Sequence, residues 1–269
     1  MKILLSSTKA PLRSALALAL VSLLALGAVL ARAETSEQGN LRVTVSGKLS
    51  PHTLPRKGSA PVSVTLGGKI TTTDQTEPPQ LQKLVIEINR NGHIDSTGLP
   101  TCDVAQIQTA NNSRALAACG PALVGAGQFL GTITLPGAAP YPIKGRLLVF
   151  NGMEGRKHVL FGHIFSPTPF STSFVIPFEI KNGGHGTFGT VLNANLKKAL
   201  GTQRNLTGIE MTLNRRYSDH GVRRSYVTAS CPAPKGFPHA NYQLARSAFT
   251  FATGVTLSST LNRTCGARG

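Results

Sequence analysis

Leu41-Arg42-Val43-Thr44-Val45-Ser46-Gly47-Lys48 sets Leu41, Val43 and Val45 against Arg42, Thr44 and Ser46 in strict alternation. Successive side chains of a strand point to opposite faces, so a period of two reads as a half-buried β-strand. Val62–Thr72 (VSVTLGGKITT) repeats the pattern, and its Gly67-Gly68 pair reads as a β-bulge. Leu84, Ile86 and Ile88 alternate with Lys83, Val85 and Glu87 in a third run closed by Asn91-Gly92. Further strands are expected at 123–135, 142–151, 157–166, 171–181, 187–196, 207–217, 222–230, 242–252 and 255–264, with Thr253-Gly254 turning the last two into a hairpin. Short runs of Val, Ile, Thr and Phe, punctuated by Gly, Pro and Asn, are the pattern of a sandwich or barrel. The expected fold is therefore all-β: an antiparallel β-sandwich of about ten to twelve strands, Greek-key and Ig-like or jelly-roll-like.

One stretch breaks the rhythm. Asp103–Gln108 reads as a turn of helix or a loop, and Asn112-Ser113 as the cap of a short helix, RALAAC, stopped by Gly120-Pro121. A short helical insert is thus expected near 103–119. Pro136–Pro142 (PGAAPYP) marks either a subdivision or a crossover within one domain.

The first 33 residues carry a targeting signal rather than part of the fold. Lys2, Lys9 and Arg13 precede the uncharged run Ala15–Leu30, and Ala31-Arg32-Ala33 supplies small residues at −3 and −1. This is the layout of a cleavable signal peptide over 1–33, with a single exported domain over 34–269, secreted or held in the cell envelope. The rival reading, a retained anchor, needs about 20 apolar residues, more than this run offers. Four cysteines, Cys102, Cys119, Cys231 and Cys265, all follow the leader and permit three pairings. The simplest is sequential, Cys102 with Cys119 and Cys231 with Cys265. A zinc site would need close C-x₂₋₄-C spacing, which the chain lacks.

Four of the 28 basic residues lie in the leader, leaving 24 against 11 acidic ones, a net charge of +13 on the exported part. Such an excess attracts polyanions: an anionic cell-envelope polymer, lipid headgroups or nucleic acid. Nucleic acid ranks lowest, because Trp is absent and aromatics are only 6% of residues. The scarcity of carboxylates also bears on chemistry, since acid–base pairs and hard-metal sites draw on Asp and Glu.

Leu54-Pro55-Arg56, Gly98-Leu99-Pro100-x-Cys102, Val124-Gly125-x-Gly127 and Ser230-Cys231-Pro232-x-Pro234-x-Gly236-Phe237 resemble segments of uncharacterised exported bacterial proteins. Those proteins share a basic β scaffold with paired cysteines and have no assigned activity. The resemblance implies the fold and no chemistry.

Catalytic and cofactor motifs are not found. None of the seven histidines forms H-x-H, H-x-x-x-H or H-E-x-x-H. His163 falls in register with Val159, Phe161 and Phe165 and reads as a core histidine; His158 points the other way. No G-x-S-x-G is present, although triad members dispersed along a chain leave no motif. Glycoside chemistry would need two carboxylates facing a cleft; Glu87 and Glu179 each sit mid-strand and offer such a pair, and exposed strand charges explain them more cheaply. Gly183-Gly184-x-Gly186 leads into a strand rather than the helix that a phosphate loop needs. No cofactor or metal is expected.

The strongest local feature is Arg215-Arg216-Tyr217-Ser218-Asp219-His220-Gly221-Val222-Arg223-Arg224-Ser225-Tyr226. A hairpin through Ser218–Gly221 would set Arg216 opposite Arg223 and Arg215 opposite Arg224. Like charges facing across a ladder are destabilising, which an anionic partner would relieve. Arg215, Arg216, Arg223 and Arg224, with Tyr217 and Tyr226 as flat faces, are the candidate anion-binding set. The alternative is a solvated tip that blocks edge pairing. The expected function is a non-catalytic exported domain contacting an anionic polymer, with a secreted hydrolase or a purely structural envelope protein as rivals.

Overall fold

A computed structural model describes residues 33–168, 170–183 and 186–269; the expected signal peptide up to residue 32, Pro169, Gly184 and His185 lie outside the described residues. Among the described residues the protein is mostly β, with three short α-helices and one turn of 3-10 helix (Gly120–Ala122). The strands are β1 (Glu34–Gln38), β2 (Leu41–Ser50), β3 (Thr53–Pro55), β4 (Ala60–Pro61), β5 (Ser63–Thr72), β6 (Leu81–Asn89), β7 (Gly92–Ile94), β8 (Leu123–Ile133) and β9 (Tyr141–Glu154). They continue with β10 (Lys157–Ser166), β11 (Thr172–Asn182), β12 (Phe188–Asn195), β13 (Arg204–Leu213), β14 (Arg216–Asp219), β15 (Val222–Ser225), β16 (Val227–Ala229), β17 (His239–Phe251) and β18 (Thr256–Arg268). The helices are α1 (Val104–Ile107), α2 (Asn112–Cys119) and α3 (Leu196–Leu200).

Instead of two stacked sheets, 13 of these strands form one curled sheet in the order β1-β2-β5-β13-β8-β9-β10-β11-β12-β6-β17-β18-β3. Every pairing is antiparallel except β18 with β3. The ends of the curl are tied by side chains rather than a ladder. Glu34 accepts from Arg263 at 2.7 Å and from the Asn262 amide at 3.2 Å, and Ser36 donates to the Ser258 carbonyl at 2.6 Å. Alternation alone shows that each strand buries one face; it carries no information on which neighbour a strand takes. The inner face of β8 is thinned by glycines. A Cβ on Gly127 would run into the Glu210 carbonyl of β13, so only glycine lets the two backbones lie this way. Gly67-Gly68 is not a bulge: both ladders of β5 run through it without a register shift.

The main core lines the concave face, with Val43, Val45, Leu84, Leu147, Leu160 and Ile164 at 0–2% exposure. A second core lies on the convex face beneath the helical insert, where Ile107, Ala115 and Ala122 cover Leu148, Phe150, Val159 and Phe161. This explains why β10 is apolar on both faces. Asp103 caps α1 by accepting from the Ala105 amide, and Asn111, one residue earlier than expected, caps α2 by accepting from Arg114. Disulfides join Cys102 to Cys119 and Cys231 to Cys265. The first ties the insert to β9, where the Cys102 amide donates to the Asn151 carbonyl at 2.8 Å. Residues 134–140 form the β8–β9 loop within the continuous sheet. No helix among the described residues is long and apolar enough to cross a membrane.

Candidate functional site: the basic end of the sheet

The antiparallel order gathers β2, β6, β9, β13 and β18 at one end of the sheet by their C-terminal residues, and β5, β8 and β17 by their N-terminal ones. Two small sheets, β4-β16-β7 and β14-β15, are built from the connections at this end. Between β14 and β15 the chain turns on His220 and Gly221, both at positive φ (48° and 79°). That is the two-residue turn matched to the natural twist of a hairpin.

The tight turn corrects the register expected from sequence. Tyr217 faces Arg224, Ser218 faces Arg223 and Arg216 faces Ser225, so no two arginines oppose each other. His220 takes the left-handed conformation that a four-residue loop would not require, and the like-charge clash disappears.

One face of the hairpin is bound to the 95–99 loop. Arg224 donates from Nε to Asp219 at 3.0 Å and lies 3.6 Å from Asp95. Burial pushes Asp95 up, but hydrogen bonds from Thr97 and the Arg224 guanidinium outweigh it and hold the carboxyl below its ordinary value. Tyr217 donates its hydroxyl to the Thr97 carbonyl at 2.7 Å; burial, reinforced by Asp95, raises its pKa. Gly98, at φ 73°, lets this loop approach, since a Cβ there would collide with the Asp219 carboxylate.

The six candidate residues therefore separate. Arg216 and Arg223 are exposed on the opposite, outward face and make no ion pair among the described residues. Arg215 is half-buried, and its Nε is buried without a partner. Arg224 and Tyr217 are structural. Tyr226 is fully buried and offers no flat face, because its backbone is bonded on both sides, to Arg215 and Asp95, which turns the ring into the core.

Residues that sequence reading passed over share this end. Lys57, Arg90, Lys235 and Arg268 are exposed here. Arg56 is held by carbonyls rather than by a carboxylate, donating to Ala233, Pro234 and Phe237 at 2.6–2.9 Å, so its charge is not neutralised. These cations sit far apart in sequence, beside strand ends, and only the sheet order brings them together.

The carboxylates tell the complementary story. Nine of the 11 are engaged in the fold. Glu34, Glu37, Glu87, Asp95, Glu179 and Asp219 are ion-paired with Arg or Lys; Asp74, Glu77 and Asp103 accept hydrogen bonds from neighbouring turns and strands. Glu179 is bound by Lys157 at 3.1 Å and Lys181 at 3.5 Å, and a hydrogen bond from Lys157 lowers its pKa; Glu87 is joined to Arg246. These are charges on sheet surfaces neutralised by neighbouring strands. Among the described residues no three His, Cys, Asp or Glu side chains converge.

Compared with protein-family models, curated proteins and solved structures, the chain gives no match. The functional reading accordingly rests on the charge layout.

His163, expected in the core, is completely buried beneath the insert. Its Nε2 bonds the Ala110 carbonyl at 2.9 Å, with the Ser173 hydroxyl 3.3 Å away. Nδ1 is buried without a partner. Burial lowers the pKa, opposed by the bond to Ala110, so the ring is a neutral peg holding the insert rather than an exposed base.

Proposed function

We propose that the protein is a non-catalytic exported domain that binds an anionic polymer of the cell envelope through the basic end of its sheet. One observation carries this reading: Asp95 and Asp219, the carboxylates nearest the hairpin, are both taken up by Arg224, while Arg216 and Arg223 project outward without an acid. A guanidinium presents a planar fork of donors suited to phosphate, sulfate or carboxylate groups. At the same end of the sheet the exposed Lys57, Arg90, Lys235 and Arg268 extend the positive field, which speeds encounter and favours a repeating polyanion over a single small anion. Export itself is supported by the leader and by the two disulfides.

The test is calorimetric titration of the exported protein with heparin and with inorganic polyphosphate. Arg216→Gln/Arg223→Gln should weaken binding at least tenfold with the thermal unfolding curve unchanged. Binding equal to the parent would leave a structural envelope protein as the better reading.

A further inference from the structure

Phe237 is the most exposed large hydrophobic side chain among the described residues, at 62%, and Val222, at the tip of the hairpin, follows at 57%. Both stand at the basic end of the sheet, beside cations. A polyanion in solution needs only charge, so apolar side chains set among the charges point to a different contact. The loop that carries Phe237 is tied down on both flanks. It runs from Cys231, bonded to Cys265 of β18, to Pro238, whose carbonyl accepts from the Ala267 amide at 2.7 Å. Between them the Phe237 amide donates to the Pro234 carbonyl at 3.1 Å, closing a turn in which Gly236 takes φ 90°. Glycine adopts that conformation without strain. Arg56 clasps the loop through the Ala233, Pro234 and Phe237 carbonyls, and its own amide donates to the Arg268 carbonyl at 3.3 Å. Three segments, 50–61, 227–240 and 261–269, therefore meet around Arg56, and none of them contains Asp or Glu. Lys57, Lys235 and Arg268, one from each segment, are exposed and make no ion pair among the described residues. Because the fold has already ordered this loop, binding through it carries little further entropic cost.

From this juxtaposition of a fixed, exposed aromatic ring and cations free of any acid, we infer that the basic end docks on the surface of an anionic lipid bilayer. Phe237 enters the boundary between headgroups and acyl chains, while Lys57, Lys235 and Arg268 lie against the headgroups. Interfacial binding draws on buried apolar surface and on attraction to anionic lipids together, and this loop supplies both. The inference rests on the reading of this end as an anion-binding surface and adds the apolar contact that separates a lipid surface from a soluble polymer.

The experiment is co-sedimentation of the exported protein with vesicles of phosphatidylcholine alone and of equimolar phosphatidylcholine and phosphatidylglycerol. The protein should partition onto the mixed vesicles and stay in solution beside the neutral ones. Phe237→Ala should weaken that partition about tenfold, the lower end of what burying a whole Phe side chain gains, because the residue is already partly covered. The same variant should leave polyphosphate binding unchanged. Each cation near such a surface strengthens binding about fivefold, so Lys57→Gln/Lys235→Gln should weaken it about 25-fold. The chain has no Trp, so Phe237→Trp places a single reporter at the contact. Its emission should move to the blue and be quenched by brominated acyl chains on the mixed vesicles, and should stay unmoved with polyphosphate. Polyphosphate binding without vesicle binding, vesicle binding with the reporter left in water, or a Phe237→Ala variant equal to the parent would overturn the inference and leave the anion-binding reading standing. Loss of both polyphosphate and vesicle binding in the parent protein would sink the two together. A reporter that moves to the blue with protein concentration alone would make the loop a contact between copies of this chain, and would overturn the inference as well.

Discussion

Replacing Cys102 and Cys119 with alanine removes a bridge that spans 17 residues, whereas Cys231 and Cys265 are 34 apart. In the chain-entropy description, closing loops of those lengths restricts the unfolded chain by about 3 and about 4 kcal/mol respectively at 25 °C. The two losses should differ in kind as well as size. The short bridge closes a local insert whose other ties to the sheet are the Cys102–Asn151 backbone bond, the His163–Ala110 bond and the small apolar cluster beneath α1 and α2. The long bridge joins β18 to the segment after β16, across the end of the main core. Cys102→Ala/Cys119→Ala should therefore expose residues 104–119 by local opening, with fast amide exchange there and little change in the main sheet. Cys231→Ala/Cys265→Ala should lower global stability in urea by about 4 kcal/mol and speed exchange throughout β17 and β18. If removing the short bridge costs more global stability than removing the long one, or leaves exchange over 104–119 unchanged, this account of the insert fails.

Three further outcomes follow from single buried groups. His163 is neutral in the fold with its pKa lowered, and the unfolded chain binds its proton near pH 6.5, so stability should fall as pH drops below about 6.5, by at most about 1.4 kcal/mol per pH unit, until the folded-state pKa is passed. His163→Leu should flatten that part of a urea-denaturation series run from pH 7.5 to 4.5. Gly127→Ala forces a methyl group onto a fixed carbonyl of β13 and should cost about 3 kcal/mol or more by the same assay. Tyr226→Phe removes a buried hydroxyl that has no partner, so it should leave thermal stability unchanged or raise it by up to about 1 kcal/mol; a clear loss would show that the hydroxyl is bonded after all.

Most of the strands were legible because they obey a local rule. β2 and β18 bury alternate residues, and the pattern of Leu41, Val43 and Val45 reports burial whatever the neighbour. The period of two does not name a strand's neighbours, so a sandwich and a curled sheet look alike until glycines such as Gly127 are seen against β13. β1 lies outside the strands expected from sequence, since Glu34–Gln38 is an edge strand with no buried residue to reveal it. The insert was recognised from its broken rhythm and paired cysteines, and its cap was misplaced by one residue because Asn111 and Asn112 are equally good capping residues. For the hairpin, composition led to the right segment and loop length to the wrong register. His220 adopting positive φ decided it, and nothing in the side-chain pattern announces that. The wider basic end was not legible at all, since Arg56, Arg90 and Arg268 meet only through the order of strands.

The salt dependence of polyphosphate binding tests the central claim most directly. Each phosphate contact contributes about 0.7–0.9 to the slope of log K against log salt, through release of condensed counterions. Arg216→Gln/Arg223→Gln should reduce that slope by about 1.4–1.8, whereas Lys83→Gln/Lys198→Gln, which removes equal charge from exposed residues at the opposite end of the sheet, should leave it nearly unchanged. Equal reductions in the two double variants would show attraction to net charge alone and contradict a dedicated site at the hairpin.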